Sequence, residues 1–344
     1  MRIEDLDYHL PEGLISQYPI EPRDKARLLV LDKRGGEMRH STFSRLGDFL
    51  RQGDVLVVND TRVLPARLLG EKESGGRVEI LLVRKTPGAG EVWECLVKRG
   101  KRLPGGTALR FAPDLVGEVL GSGSQGIKRI SFVARGNFGE IIQRVGHVPL
   151  PPYIRKGTDE PRDQDGYQTI FAREEGAIAA PTAGLHFTPD LVRGIEEHGV
   201  TIVPLTLHVG LGSFQPIRSE QVEEHRLGPE YYHIPASAAA AINDARNRGA
   251  RVFAVGTTVV RALETVADEQ GTIRPNDGQT DLYIYPGYRF RAIDALITNF
   301  HLPRSTLLLL VYAFAGKDLT VRAYDAAMRE GYGFYSYGDG MLIM

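Results

Sequence analysis

The sequence predicts an α/β protein in which a larger sheet domain is interrupted by a small inserted β-barrel. Three observations carry this. Residues 66–133 are short strand-like segments separated by glycine-rich turns. On either side, apolar β-branched runs alternate with segments of helical spacing. The 344 residues suit about two domains at ~100–200 residues each. The expected division is 1–65 with 150–344 for the α/β domain and 66–149 for the barrel.

Taken in order, "GDVLVVNDTRV" (53–63) reads as a buried strand. "ARLLG", "RVEILLV", "VWECLV", "TALRF", "VGEVL" and "IKRISFV" follow, with "SGG", "TPGAG", "LPGG" and "GSGSQG" between them. Evenly spaced short strands with turn signals are the mark of a small barrel or sandwich. "GNFGEIIQRVG" reads as a helix leading back out, and "RKGTDEPRDQDG" (155–166) as a polar loop, mobile until something binds it. Thr188, Pro189 and Asp190 form a helix start, with Gly199 ending that helix. "TIVPLTLHV" and "RVFAVG" are buried-strand runs. "SAAAAINDARNRG", "TVVRALETVADEQG" and "DLTVRAYDAAMREG" have helical spacing, the first and third with Ser237 and Asp318 as expected caps. "GFYSYGDGMLIM" reads as a terminal strand that leaves Asp339 free to face a site.

Charge and composition narrow the function. The balance of 42 basic against 43 acidic residues excludes a generally polybasic protein. One cysteine, Cys95, excludes a disulfide framework and a thiolate-rich metal site. The opening "MRIEDLDYHLPEGLI" has no apolar signal core, and the run "TLLLLVYAFAG" (306–316) falls short of the ~20 residues a bilayer span needs. The expectation is a soluble cytoplasmic protein with no membrane contact.

The chemistry is expected where strands end. Asn59, Asp60, Thr61 and Arg62 follow the first strand, and His208 and Gly210 follow "TIVPLTL". Thr257, Thr258 and Arg261 follow "RVFAV", and Asn299 and His301 follow "ALIT". In open α/β sheets ligands bind outside the carboxyl ends of the strands, so parallel strands would bring these groups together. "AAPTAGLHFTPD" (179–190) fits the same picture. Its small residues, with Thr182 and Gly184, permit close backbone approach, and helix-start amides hold carboxylates or phosphates. His186 supplies a hydrogen-bonding or proton-handling group. Singly, each histidine also fits a structural role, the threonine pair a helix cap, and Arg261 a surface ion pair. The repetition at successive strand ends is what argues for one shared site.

Other constellations are missing. "GLGSF" lacks the G-x-G-x-x-G spacing, and neither a phosphate-binding G-x-x-x-x-G-K-[ST] nor H-E-x-x-H occurs. "EEHRLGPEYYH" (223–233) reads as a solvated turn, so no metal is expected. Lys98, Arg99, Lys101 and Arg102 at a barrel turn, with Arg155 and Lys156, form a modest basic group suited to RNA phosphates.

These motifs resemble one family closely, the S-adenosylmethionine:tRNA ribosyltransferase-isomerases of queuosine biosynthesis. The matching stretches are "YPIEPRDKARLLVLD", "GDVLVVNDTRVLPARL", "HVPLPPYI", "YQTIFAREEGAIAAPTAGLHFT", "LTLHVGLGSFQPI", "AVGTTVVRALE", "YPGYRF", "TNFHLPRSTLLLLVYAFAG" and "FYSYGDGMLI", in family order along nearly the whole chain. Departures are Gly228 where a second histidine is common, Val259 and Ala262 where Ser and Thr are common, and Gly340 for a usual Ala.

The resemblance implies the fold above and a reaction. The ribosyl part of S-adenosylmethionine passes to 7-aminomethyl-7-deazaguanine at the tRNA wobble position and is isomerised to an epoxycyclopentane. This gives epoxyqueuosine-tRNA and releases adenine and methionine. S-adenosylmethionine is consumed as substrate, so no separate cofactor is expected, and a monomer is the expected state. Such chemistry asks for groups titrating near neutrality, for which His186, His208 and His301 are candidates. Asp60 or Asp339 would balance the sulfonium or orient a histidine. Arg62, Arg261 or helix-start amides would bind the methionine carboxylate. Tyr153, Tyr335 and Tyr337 would stack on a base. Two competing readings are a non-catalytic RNA-binding protein, which leaves the polar strand ends unexplained, and a tRNA methyltransferase, which the lack of a glycine-rich first turn disfavours.

Overall fold

The computed structural model describes all residues other than 89, 99–102, 124–125, 211–216 and 218. The chain opens with β1 (Arg27–Leu31), β2 (Met38–Thr42), β3 (Val55–Asn59) and β4 (Thr61–Val63). Then come β5 (Arg67–Lys72), β6 (Gly76–Lys85), β7 (Glu91–Lys98), β8 (Ala108–Ala112), β9 (Leu115–Ser122), β10 (Ile127–Ala134) and α1 (Phe138–Val145). The remainder carries α2 (Asp163–Gly166), β11 (Glu174–Ala177), α3 (Pro189–Glu197), β12 (Thr201–Leu207), β13 (Glu230–Ile234) and α4 (Ala236–Asn247). It ends with β14 (Val252–Val255), α5 (Thr257–Val266), β15 (Asn276–Thr280), β16 (Ala295–Asn299), α6 (Thr306–Ala315), α7 (Lys317–Arg329) and β17 (Gly340–Ile343).

Nine strands form one mixed sheet in the order β15-β13-β12-β3-β14-β16-β17-β1-β2. Its middle, β12-β3-β14-β16, is parallel throughout, so the carboxyl ends of these strands share one edge. The strands read as continuous apolar runs because both faces are covered. Side chains alternate between the faces. In β3, Val55 and Val57 join the core under α4–α7, while Leu56 and Val58 join a second core with Phe43, Leu191 and Ile195. The terminal strand β17 lies between β16, to which it is antiparallel, and β1, to which it is parallel. That brings residues 335–339 to the same edge.

β5 to β10 close into a six-stranded barrel around Leu68, Ile80, Cys95, Leu115 and Ile130. Its entry and exit are tied together, Arg67 and His147 exchanging backbone hydrogen bonds of 3.2 and 2.8 Å. Asp159 clasps both, accepting from Arg67 Nη2 at 2.5 Å and lying 3.1 Å from His147 Nδ1.

Two local expectations are corrected. α4 starts after Pro235 and α7 after Gly316, neither with a side-chain cap, so Ser237 and Asp318 lie inside the helices. The 155–166 segment is anchored, not loose. Asp163 is buried, accepts from the Glu160 N–H and the Tyr337 hydroxyl, and pairs with Arg155. Within the segment Arg155 pairs with Glu160 and Asp163, and Arg162 with Glu160.

Candidate active site

Asn59, at the last position of β3, knits the shared edge. Its Nδ2 donates to Leu207 O at 2.9 Å and to Thr258 Oγ1 at 3.1 Å, while its Oδ1 accepts from Leu207 N and Thr61 N, both at 3.1 Å. A buried amide with all these bonds made fixes the ends of β3 and β12 and the start of α5 relative to one another.

Beside this knot lies a cavity of about 440 Å³, within the ~300–1,000 Å³ range of small-molecule sites. Of the residues predicted from sequence, Tyr153, Thr182, Thr257, Thr258, Arg261, Asn299 and His301 line it. Tyr335 and Ser336 line it from the β17 side. β14 and β17 flank β16, so α5 and the Tyr335 segment face each other across the end of β16. Tyr335 adopts φ 70°, strained for a non-glycine residue. Its ring sits 4.8 Å from that of Tyr153, whose hydroxyl is 2.8 Å from Ser336 Oγ.

His301 is the one of the three candidate histidines that lines the cavity. Nε2 is 2.8 Å from Thr298 Oγ1, and the backbone N–H donates to the Tyr324 hydroxyl at 2.9 Å. The described residues offer Nδ1 no partner. Burial lowers the imidazole from 6.5 to about 3, so it is neutral at pH 7. His186 stands behind the wall. Asn299 Nδ2 donates to its Nε2 at 3.2 Å, and Asn299 Oδ1 accepts from Thr182 Oγ1 at 2.8 Å. The ring stacks on Phe43 at 4.1 Å. Burial, with the nearby Arg23 charge, lowers it too to about 3. Neither histidine titrates near neutrality in this structure, contrary to the sequence expectation. The interior offers them no counter-charge to offset desolvation.

The helix start at Thr188 forms with the expected cap but does not face the cavity. Thr188 Oγ1 accepts from Leu191 N at 3.2 Å, which caps α3 internally, and Thr188 and Pro189 are absent from the cavity wall. Gly184 packs on Thr169, whose Cγ2 would lie 3.0 Å from an added Cβ.

The remaining candidates sit outside the cavity. After Asn59 the chain turns into β4, which pairs with β11, and this carries Asp60, Thr61 and Arg62 away. Asp60 accepts from Thr206 Oγ1 at 2.7 Å and burial raises its pKa, while half-exposed Arg62 lies 3.9 Å from Glu175. His208 Nδ1 is 2.7 Å from Thr61 Oγ1 and its ring stacks on Tyr231; burial lowers its pKa, with Glu174 opposing. Asp339 does not face the cavity. Its oxygens accept from Arg27 N at 2.6 Å and Gly333 N at 2.7 Å, and burial raises its pKa against those bonds. Tyr337 donates to Asp163 at 3.0 Å and sits in a small recess with His186 and Arg23.

Of the basic residues, Lys98 pairs with Glu79 at 3.2 Å and Lys156 is exposed. Arg155 is committed internally to Gln17 and Asp163, so it is corrected out of the RNA-facing set. Arg99, Lys101 and Arg102 lie outside the described residues.

The sequence reading missed Glu230. It is buried at the start of β13, pairs with Arg261, and accepts from Gly210 N at 2.7 Å. The alternation in "EYYHI", buried at its first, third and fifth positions, is the signal that this glutamate points inward. Among the described residues no cluster of His, Cys, Asp and Glu is placed to hold a metal ion, and no helix is long and apolar enough to cross a membrane.

Known proteins match along the full length. The profile of the family described as "Queuosine biosynthesis protein" covers residues 3–343. The S-adenosylmethionine:tRNA ribosyltransferase-isomerase of Moorella thermoacetica is 53% identical over 100% of both chains, and that of Geobacter sulfurreducens 52%, again over 100% of both. A crystal structure of the S-adenosylmethionine tRNA ribosyltransferase of Thermotoga maritima is 37% identical, with a TM-score of 0.56 over 99% of this chain and 100% of that one. With this edge-on cavity, the large mixed sheet and the closed barrel, the chain belongs to the queuosine biosynthesis family of S-adenosylmethionine:tRNA ribosyltransferase-isomerases.

Proposed function

We propose that the cavity at the ends of β14 and β16 binds S-adenosylmethionine. There its ribosyl part is transferred to 7-aminomethyl-7-deazaguanine at the wobble position of tRNA and isomerised to the epoxycyclopentane of epoxyqueuosine, with loss of adenine and methionine. The observation that carries this is the cavity itself. It places an imidazole nitrogen without a partner among the described residues, an amide–hydroxyl pair and two tyrosine rings around one small-molecule-sized space.

A sulfonium acidifies the adjacent 5′ C–H. The neutral His301 ring, with Nε2 held 2.8 Å from Thr298 Oγ1, takes that proton on Nδ1 and leaves an ylide. The imidazolium formed then serves as the proton source for departing adenine. His186 is a positioning residue, holding Asn299 against Thr182. S-adenosylmethionine is consumed as substrate with no separate cofactor, and the enzyme works as a cytoplasmic monomer. The α/β domain comprises 1–65 and 150–344. The barrel, 66–149, contacts tRNA through Lys98, Arg99, Lys101 and Arg102, with Lys156 beside it. Removing one phosphate contact should flatten the salt dependence of tRNA binding by roughly 0.7–0.9 in log–log slope.

Incubation with S-adenosylmethionine and precursor-bearing tRNA, followed by identification of small-molecule products and the modified nucleoside, tests the reading. Free adenine, free methionine and epoxyqueuosine are expected. Transfer of a methyl group with no adenine released would refute it.

A further inference from the structure

The start of α5 differs from its surroundings in what it leaves unsatisfied. β14 passes into the helix through Gly256, whose φ of 93° and ψ of 153° are open only to glycine. α5 then begins without a side-chain cap, although the first N–H groups of a helix have no partner within it. Gly256, Thr257 and Thr258 all line the cavity. Thr258 Oγ1 is engaged by Asn59. Thr257 is only 6% exposed, yet the described residues offer its hydroxyl no partner. One turn on, Arg261 is committed to the wall, donating to Glu230, to Leu282 O at 3.0 Å and to Thr280 O at 3.4 Å.

We propose that the first turn of α5, with the Thr257 hydroxyl, is a carboxylate site that receives the α-carboxylate of the methionyl end of S-adenosylmethionine. The adenosyl end is then directed across β16 toward Tyr153 and Tyr335. This rests on the reading of the cavity as the S-adenosylmethionine site. A helix start presents about half a positive charge and several convergent N–H donors, which matches a single negative charge. A doubly charged phosphate would call for an additional cation, and Arg261, the cation of this wall, is balanced by buried Glu230. Thr257 and Arg261 lie four residues apart on one helix face. The Arg261–Glu230 pair therefore stiffens the wall while Thr257 makes the contact.

The test compares two ligands that differ only in this group, S-adenosylmethionine and its decarboxylated form, by titration calorimetry on the wild-type protein, Thr257→Val and Thr257→Ser. Wild type should prefer the carboxylated ligand by at least about tenfold, the worth of one charge-assisted hydrogen bond. Thr257→Val should weaken that ligand by about tenfold, leave the decarboxylated one unchanged, and so erase most of the preference. Thr257→Ser should keep it. Equal affinities in wild type, or an undiminished preference in Thr257→Val, would overturn the carboxylate site while leaving the cavity assignment standing. The wild-type comparison decides the matter even if Thr257→Val does not fold. A wild-type protein that binds neither ligand would overturn the S-adenosylmethionine reading, and this site with it.

Discussion

Two helices start on either side of the loop that carries His186, and they start in opposite ways. α3 opens with Thr188 and Pro189, and its own threonine accepts the Leu191 N–H. α5 opens through Gly256 with no cap, close enough that a Cβ at Gly256 would lie 3.7 Å from the Ala183 side chain of the same loop. The start with the complete capping signature lies at the surface, with Pro189 and Asp190 exposed. The one without it faces the cavity. A helix that satisfies its own first turn has little left to offer a ligand, so a strong cap in sequence argues for stability at that end and a missing cap at a cavity argues for binding.

Each side of the comparison carries a histidine, and the largest expected effect separates them. His301→Ala should lower adenine release by ~10²–10⁴-fold, the usual range for a lost general base. His186→Gln keeps a hydrogen-bonding group beside Asn299 and should retain turnover within about tenfold, with an unchanged pH–rate profile. His186→Ala should fall further, chiefly in kcat. If His186→Gln is as inactive as His301→Ala, proton handling belongs on the α3 side. The backbone of the uncapped start is tested next. Gly256→Ala forces a side chain into a conformation worth about 1–3 kcal/mol of strain and shifts the start of α5. A loss near 10²-fold in turnover is expected, together with a lower melting temperature. Full activity would detach that helix start from the site.

The same two rings contribute to the acid stability. Both have folded pKa values of about 3 against 6.5 unfolded, so between those values the unfolded chain binds more protons. The contribution of these two rings should be flat above pH 6.5. Below it, each histidine should cost about 1.4 kcal/mol per pH unit, roughly 2 kcal/mol each by pH 5. Urea midpoints at pH 7, 6 and 5 measure this, and His186→Gln should remove one ring's share of the slope. An unchanged slope would place His186 in a more solvated setting. The smallest effect belongs to the capped start. Thr188→Ala should cost about 1 kcal/mol of stability and leave kcat and KM within twofold, the reverse of what is expected at Thr257. A Thr188→Ala protein of normal stability but raised KM would break the comparison.

Much of the architecture was legible because it is written locally. Apolar runs buried on both faces mark β3, β14 and β16, glycine-punctuated short strands mark the barrel, and Thr188 with Pro189 marks the start of α3. Clustering at strand ends was legible in kind, since a parallel sheet must deliver its carboxyl ends to one edge. Membership of each candidate was not. Asp60, Thr61 and Arg62 follow β3 as directly as Thr257 and Thr258 follow β14, but pairing of β4 with β11 removes them from the cavity. The pairing of β17 antiparallel to β16 brings Tyr335 in, yet the same segment spends the Asp339 carboxylate on two backbone N–H groups.

Periodicity, capping and glycine placement depend on neighbours within a few residues, and the sequence by itself determines them. Which histidine faces the cavity, which helix start stays uncapped there, and which carboxylates are consumed inside depend on contacts such as Thr182 with Asn299, 117 residues apart. Only the folded sheet decides those, because a buried polar group takes whichever partner the topology brings within hydrogen-bonding reach, and what remains unpartnered is available to a ligand.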